Sequence, residues 1–587
     1  MIQYQDGEDS PRVLEDRLAQ TATVQRPRPV FLNRHSKQPS SSTVCSSLDS
    51  RLQGTTAPGS PRSTSNLSSS FPDTDSPTSD TEPTSNASFE TLRAAQDDEK
   101  ETNKAPSDSD PSMHEEHKIA TKEQLEALTH DHPLPQLSTG TWASRFRQFR
   151  HGTMSMYRRL WTFAILVNVA IIASMIARSV RHPGSFAYGS AATATGANLL
   201  VAALMRHEHC VNLIFRLATL LPYSTPLAIR RQAAKGAYSY GGLHSGCGIS
   251  AMLWYIFYTV LAIAQFQGSP GEQIALATTA AATLLAFVII IGLAHPTFRT
   301  KFHDIWEISH RFAGWFAIAM VWAQTLIIAI AAAHHAHISI GLTLVKTPTF
   351  WFLAIITCFL IYPWLRMRHR NVTPEVLSSH AVRLHFDDAK LQTCRGYRLS
   401  TNPLMENHGF ATIPDATPSE LEAGIANPPR PKSYSVLVSK AGDWTSAMIA
   451  NPPSKIWTRG APTTGVLRIA SLFKPIVVVA TGSGIGPCLS FLQVLPHYPM
   501  RVIWSARHPH KTYGPDIMKA VVRADREALV LDTQVTSKPD LSGLSFALAK
   551  SIGAEAVVII SNPWTTRKVV FDLESRGVPA FGAIFDS

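Results

Sequence analysis

Between residues 476 and 492 the chain reads IVVVATGSGIGPCLSFL, an apolar run, a turn with three glycines and a second apolar run. A buried strand ending at Thr481 and a helix opening near Pro487 would place Gly482, Ser483, Gly484, Ile485 and Gly486 at a helix N-terminus. Exposed amides and the helix dipole favour an anion there, and glycine lets a pyrophosphate approach the backbone. A structural tight turn could use the same residues, but strand, turn and helix in this order favour a dinucleotide site. Two further residues could do chemistry. His244 and His310 sit in apolar stretches, nine residues after Lys235 and Lys301 respectively. An ionisable side chain inside a membrane-type helix points to function. Two such imidazoles either hydrogen-bond to each other and to backbone carbonyls or hold a ligand. His207, His209, His295 and His303 read as interfacial, and His334, His335 and His337 as an exposed cluster. Cys45, Cys210, Cys247, Cys358, Cys394 and Cys488 form no CxxC pair, so neither a zinc site nor a disulfide framework is supported.

The elements that must position these residues follow from composition. Mean hydropathy is +0.00, an average over two opposite regions. Residues 1–140, rich in Ser, Thr, Pro, Asp and Glu, cannot bury enough apolar surface to offset chain entropy and read as a disordered cytosolic tail. No signal peptide is visible there. Residues 150–370 carry apolar runs near 160–177, 188–205, 249–265, 273–294, 305–333 and 350–365, each close to the span of a bilayer. The segment 211–222, with Arg216, is too short to span and reads as interfacial. The net charge of +11 could suggest nucleic acid, but its Arg and Lys cluster beside alternate ends of the apolar runs. Both termini are therefore expected in the cytosol, of a multi-pass protein in the plasma membrane or an endomembrane.

Beyond residue 370 the periodicity changes. SHAVRLHF, GYRLS, KSYSVLVS and GVLRIAS predict strands of an antiparallel barrel over 376–472. IVVVA, RVIWSA, LVLDTQV and AVVIIS, separated by helical stretches, predict a Rossmann-like parallel α/β domain over 473–587. The fold class expected is multi-domain: a six-span helical transmembrane bundle, an antiparallel β-barrel and a Rossmann-like domain.

TGSGIGPCLSFL resembles the nicotinamide motif of the ferredoxin–NADP reductase superfamily, and the barrel before it resembles the flavin domain of that superfamily's ferric reductase and NADPH oxidase branch. NHGFATIP stands where that branch has an HPFT-like flavin segment, which implies roles for His408, Phe410, Ala411 and Thr412; Gly409 replaces the usual proline. Gly442, Trp444 and Thr445 match a second flavin motif, GxWT. Ser505 with Arg507, Lys511 and Tyr513 resembles an arrangement in which cations meet a 2′-phosphate and the ring stacks on adenine. Phe585 matches a terminal aromatic that covers the flavin. GGLHSGC, HDIWEISHRFAGW, NPPSKIWTRGAPTTG and RGVPAFGAIFDS make the chain from about 140 onward similar to fungal TmpA-type membrane flavoproteins. Relatives that move electrons across a membrane stack two haems between the third and fifth helices. Here His244 and His310 fill the inner pair, while Phe257, Tyr258, Ala323 and Gln324 hold the outer positions.

The resemblance implies an FAD-dependent NAD(P)H oxidoreductase, with NADPH preferred over NADH and one b-type haem possible at His244 and His310. Electrons would pass to a small-molecule acceptor at the cytosolic side or in the bilayer, in fungal development or specialised metabolism. The alternatives are a transmembrane ferric reductase or superoxide-producing oxidase, and a non-catalytic membrane signalling scaffold on a degenerate flavin fold. Partners are the lipid bilayer and the acceptor, with no nucleic acid.

Overall fold

Backbone facing lipid can satisfy its polar groups as a helix, and apolar runs of this length fold that way. The computed structural model describes residues 119–182, 184–387, 394–415, 433–495 and 497–582. Its helices begin with α1 (Lys122–Asp131) and α2 (Trp142–Arg147), the latter running into a π-helical turn at Gln148–Thr153. Then come α3 (Met156–Arg181), α4 (Tyr188–Leu204), α5 (Glu208–Thr219), α6 (Leu227–Tyr238), α7 (Gly241–Gln265) and α8 (Pro270–Leu293). They are followed by α9 (Pro296–Lys301), α10 (His303–Ala336), α11 (Ile340–Lys346) and α12 (Pro348–Leu365).

Among the described residues five helices, α3, α7, α8, α10 and α12, are long and apolar enough to cross a membrane. The sixth expected span, α4, has 17 residues, a rise of about 26 Å. Its small residues let it lie close between α7 and α12, and a Cβ at Gly196 would come within 3.2 Å of the Phe352 ring. Its Asn198 donates to Asn168 at 2.9 Å, and Trp254 Nε1 donates to the same Asn168 oxygen at 2.7 Å. The polar residue that weakens the run as a span is thus satisfied by its neighbours.

Segment 211–222, expected at the interface, falls largely in α5. Val211, Phe215 and Ala218 are buried, while Leu213, Leu217 and Leu220 are exposed on its other side. The buried face packs on the domains that follow, so α5 serves as a platform for them.

Only Arg366 and Met367 separate the last span from the first strand. Strands β1 (Arg368–Asn371), β2 (Thr373–Ser378), β3 (Ala381–Phe386), β4 (Arg395–Ser400), β5 (His408–Pro414), β6 (Tyr434–Ser439) and β7 (Lys455–Thr464) make one antiparallel, curled sheet. Their order is β1-β7-β4-β5-β6-β3-β2. Val382, Leu384, Leu399, Val436 and Val438 fill its core, and α13 (Asp443–Ala450) packs beside it. GVLRIAS departs from its expected strand and forms a 3₁₀ helix at Val466–Leu472. Leu467, Ile469, Ala470 and Leu472 are buried there while Arg468 and Ser471 are only partly so, a spacing that breaks the strict alternation a one-sided strand requires.

The second sheet is parallel, with strands β8 (Ile476–Thr481), β9 (Met500–Ala506), β10 (Leu529–Asp532), β11 (Ala556–Ile560) and β12 (Ala580–Gly582) in the order β10-β9-β8-β11-β12. Helices α14 (Ile485–Val494), α15 (Pro509–Tyr513), α16 (Pro515–Ala524), α17 (Leu541–Ser551) and α18 (Pro563–Glu574) connect and cover it. Because β8 has β9 on one side and β11 on the other, its carboxyl end is the topological switch point, where such sheets bind ligands.

The tail boundary expected at 140 moves. Thr121 caps α1 in a reciprocal box with Gln124, and Leu125 enters the core of the parallel domain beside Leu531 and Leu548. Ala120 N donates to the Val530 carbonyl at 3.0 Å, and Arg576 Nε to the Pro135 carbonyl at 2.7 Å. Residues 120–135 therefore belong to that domain.

Candidate functional site

The glycine turn lies at the switch point, as a 3₁₀ turn (Gly482–Gly484) leading into α14. Gly482 adopts φ +51°, and its carbonyl accepts from Trp504 Nε1 at 3.0 Å. Thr481 Oγ1 and Ser561 Oγ lie 2.6 Å apart and tie the ends of β8 and β11. A Cβ on Gly484 would collide with the Ile560 carbonyl oxygen, so this glycine is demanded by the neighbouring strand end rather than by ligand space. Gly486 brings α14 against Leu437 of β6, where a Cβ would stand at 3.4 Å. Ser483, Ile485 and Pro487 complete the turn, with Ile485 fully buried. The turn thus faces the antiparallel domain.

After β9, Arg507 Nε donates to the Gln534 amide oxygen at 2.7 Å once that amide is turned oxygen-inward. Asp532 braces this loop by accepting from His508 N at 3.0 Å and Gln534 N at 2.9 Å. Burial works against ionisation of Asp532, but those two amides and the His508 charge outweigh it and hold its carboxyl below the usual range. Lys511 is exposed. Tyr513, expected as an adenine platform, is 3% exposed and packs on Trp504 at 5.5 Å, so its ring is enclosed rather than presented.

The flavin-type segments converge on aromatic contacts. His408 stacks on Trp444 with centroids 4.1 Å apart, Phe410 lies 5.8 Å from the same ring, and His408 Nε2 pairs with Glu406. Trp444 Nε1 donates to Thr401 Oγ1 at 3.1 Å. Ala411 sits on β5 opposite Gly396. Thr412 is fully buried, and its hydroxyl donates to the Arg395 carbonyl at 2.9 Å, which gives it a role in joining β5 to β4. Thr445 Oγ1 accepts from Gly442 N at 2.9 Å and Ala441 N at 2.8 Å, capping the start of α13. A Cβ at Gly442 would meet nothing within 4 Å. Phe585 lies outside the described residues.

Between the helices and the two sheets is a cavity of about 2380 Å³. No residue of the glycine turn or of the His408–Thr412 and Gly442–Thr445 segments lines it, but Asn407, next to His408, does. His244 and His310 open onto it with ring centroids 6.3 Å apart. His244 Nδ1 contacts the Ala202 carbonyl at 2.9 Å, an arrangement that leaves Nε2 as the basic nitrogen. His310 Nδ1 is buried and meets no partner at normal hydrogen-bond distance among the described residues, with the Ile290 carbonyl the nearest backbone acceptor to its ring.

The positions one haem further out are closed by packing. Gln324, 2% exposed, bonds to Tyr255 (2.6 Å) and Thr283 (3.1 Å), and Tyr258 and Phe287 are buried beside them. Sequence reasoning missed Trp504 and Ser561, which hold the glycine turn, and Asp532, which braces the loop after β9. It also missed Arg206, Arg398 and Arg459, which line the cavity. Strand-end positions of Ser561 and Asp532 were the signal available for the first group; the second joins residues far apart in the chain and left none. Arg459 stacks over Trp364 at 4.3 Å. Burial, with Arg398 and Arg311 close by, lowers its guanidinium to about 10.

A family described as adenylate-forming reductase 03009, C-terminal domain, matches residues 466–587. Adenylate-forming reductase 03009 of Coprinopsis cinerea is 41% identical over 441 residues, which are 75% of this chain and 41% of that protein. Adenylate-forming reductase 06235 of the same fungus is 39% identical over 445 residues, with the same shares. The chain thus spans about two-fifths of the length of the curated relatives it matches. Among solved structures, a flavohemoglobin from Malassezia yamatoensis with bound FAD and heme is 14% identical and covers 67% of this chain and 98% of its own, at TM-score 0.32. A ferredoxin reductase of carbazole 1,9a-dioxygenase is 13% identical and covers 37% of this chain and 69% of its own, at TM-score 0.29. Likeness that slight carries no argument.

Proposed function

We propose that this chain is a membrane-bound FAD-dependent NAD(P)H oxidoreductase of the ferric-reductase-like, TmpA-type flavoproteins, delivering electrons to an acceptor at the cytosolic side or in the bilayer. The observation that carries this reading is the placement of the glycine turn. It sits at the switch point of a parallel sheet, and through Gly486 it abuts the antiparallel domain bearing His408, Phe410 and Trp444. The name reductase, which both Coprinopsis relatives bear, supports redox chemistry.

The residues present fit a flavin. His408, Phe410 and Trp444 make a half-exposed aromatic shelf, and Gly442 leaves open space at the first turn of α13. Bound FAD would supply hydride acceptance and stepwise electron release. His408, Phe410 and Ala411 would orient its ring system, and the start of α13 at Gly442 its phosphates. Thr412 and Thr445 act behind these, fixing strand and cap. Thr481, Gly482 and Ser483 would bind the nicotinamide dinucleotide's pyrophosphate, and Arg507 and Lys511 its 2′-phosphate where NADPH is the donor.

A haem also fits. His244 and His310, with ring centroids 6.3 Å apart, are the residues that would hold it, and the group would supply one-electron transfer there. The Ala202 carbonyl would fix the His244 tautomer for ligation. The test is the absorbance spectrum of detergent-purified protein. Flavin bands that bleach on adding NADPH or NADH support the reading, and a Soret band adds the haem. Persistent absence of flavin after reconstitution rejects the enzyme and leaves the scaffold alternative.

A further inference from the structure

The cavity below the helices carries an unusual charge balance. Eleven Lys or Arg residues line it against three carboxylates, all glutamates, and one of the eleven, Lys568, is met by Asp572 behind the wall at 2.8 Å. Each glutamate already has a cation. Glu208 meets Arg398 at 3.5 Å, Glu574 meets Lys235 at 2.6 Å, and Glu307 pairs with Arg311. The excess positive charge faces a region bounded by apolar helices, where repulsion is weakly screened.

Unmet hydrogen-bonding capacity concentrates at the same place. Both ring nitrogens of His207, Arg459 Nε, Trp306 Nε1 and His310 Nδ1 are buried without partners on residues lining this cavity. Glu208 Oε2 and Asn407 Oδ1 are the acceptors among such atoms there. A neutral His207 ring offers one donor and one acceptor, so unmet donors and acceptors stand side by side, and the guanidinium Nε of Arg459 is the charged group among them. Buried polar atoms without partners are few in folded proteins, and each calls for an explanation. His207 is 7% exposed, so its ring is held in place rather than turned to bulk water. Water could satisfy single donors but would not balance the charge. The wall also has two characters. Arg206 and Arg459 stand at the cytosolic end, while Trp161, Phe287 and Ile318 continue it along the spans.

We propose that this cavity binds an amphipathic anion, with a carboxylate or phosphate held between Arg206 and Arg459 and an apolar body laid toward Trp161, Phe287 and Ile318. Naming that ligand the electron acceptor rests on the flavin reading, because Asn407 in the wall adjoins His408; the binding itself does not. Common drug-sized pockets hold about 300–1,000 Å³, so this volume accommodates a large lipid-like acid.

The experiment uses full-length protein in phosphatidylcholine nanodiscs, with doxyl-labelled stearate as a quencher of tryptophan fluorescence. Saturable quenching is expected, displaced by palmitate (a carboxylate head) or lysophosphatidate (a phosphate head), which separates the two sources. Methyl palmitate and inorganic phosphate should compete at least about tenfold more weakly. Arg206→Gln and Arg459→Gln should each weaken stearate about tenfold or more, while Arg206→Lys, which keeps the charge, binds nearly as wild type. Arg181→Gln, at the opposite end of α3, should change nothing. Equal competition by acid and ester overturns the proposal, as does unchanged affinity in both Gln variants. So does loss of a Soret band in Arg206→Gln without any stearate binding, because the anion would then be a haem carboxylate. Flavin bleaching by NADPH in the same samples reports on the reductase reading separately.

Discussion

The Ile560 carbonyl stands where a side chain on Gly484 would have to go, so the turn depends on its scaffold before it meets any ligand. Gly484→Val should cost about 1–3 kcal/mol through overpacking and leave flavin content unchanged. Flavin bleaching by NADPH should be lost as the turn rebuilds. A melt lowered in that range, with bleaching at the normal rate, would show that the turn serves structure alone. Arg507 lies on the rim beside the Gln534 amide. Arg507→Ala should weaken NADPH far more than NADH, measured as the concentration giving half-maximal bleaching; equal weakening removes it from the 2′-phosphate. The three glycines were legible because strand, turn and helix are contiguous. Trp504 and Ser561 were not, since each reaches the turn from a strand brought alongside only by the sheet.

At the scale of elements, the runs read as β8, β9 and β11 and as most of the long helices appear within a few residues of their expected ends, because their periodicity belongs to one continuous stretch; α7 begins at Gly241, ahead of the run expected from 249. In GVLRIAS the apolar Leu467, Ile469 and Ala470 are spaced by two and then by one, so period alone could not distinguish a strand from a 3₁₀ turn. Residues 120–135 took on the polar character of the tail before them, although the Thr121–Gln124 box and Leu125 with Leu128 mark a helix start and an apolar face. Leu125→Ala should destabilise the protein by about 2–3 kcal/mol, read as a lower melting temperature in detergent. No change would detach α1 from that domain.

The antiparallel sheet carries a pH-sensitive edge. His385 Nδ1 lies 3.0 Å from Asp415 and Nε2 2.9 Å from Glu375. The Asp415 hydrogen bond, against some burial, raises the imidazole above its ordinary value, and Glu375 adds to this. A raised folded-state value means the contribution is fully present below about pH 6.5 and fades as pH rises through the higher folded value. The melting difference between wild type and His385→Asn should therefore be larger at pH 6 than at pH 8.5. A difference independent of pH contradicts the assignment.

Across the whole molecule, polar and aromatic packing closes the half of the bundle away from the two sheets. Gln324, Tyr255 and Thr283 occupy the depth at which a second haem would sit. A redox centre at His244 and His310 would stop roughly 15 Å short of the far face of a hydrocarbon core of about 30 Å. Intact cells overproducing the protein should not reduce an impermeant ferric chelate above background, nor release extra extracellular superoxide. Vesicles exposing the cytosolic face should show NAD(P)H-dependent reduction of a lipophilic acceptor. Strong extracellular reduction abolished by His244→Ala would restore the ferric reductase alternative.

The two-residue step from α12 into β1 leaves no tether, and Arg230 gripping Glu555 through both carboxylate oxygens, at 2.8 and 2.9 Å, adds a second attachment. Donor and acceptor sites held this way meet at a fixed effective concentration. On the proposed redox reading, electron delivery inside one molecule should then proceed at a rate indifferent to how thinly the protein is spread in a membrane, and crowding should matter only to whatever diffuses in to collect the electrons.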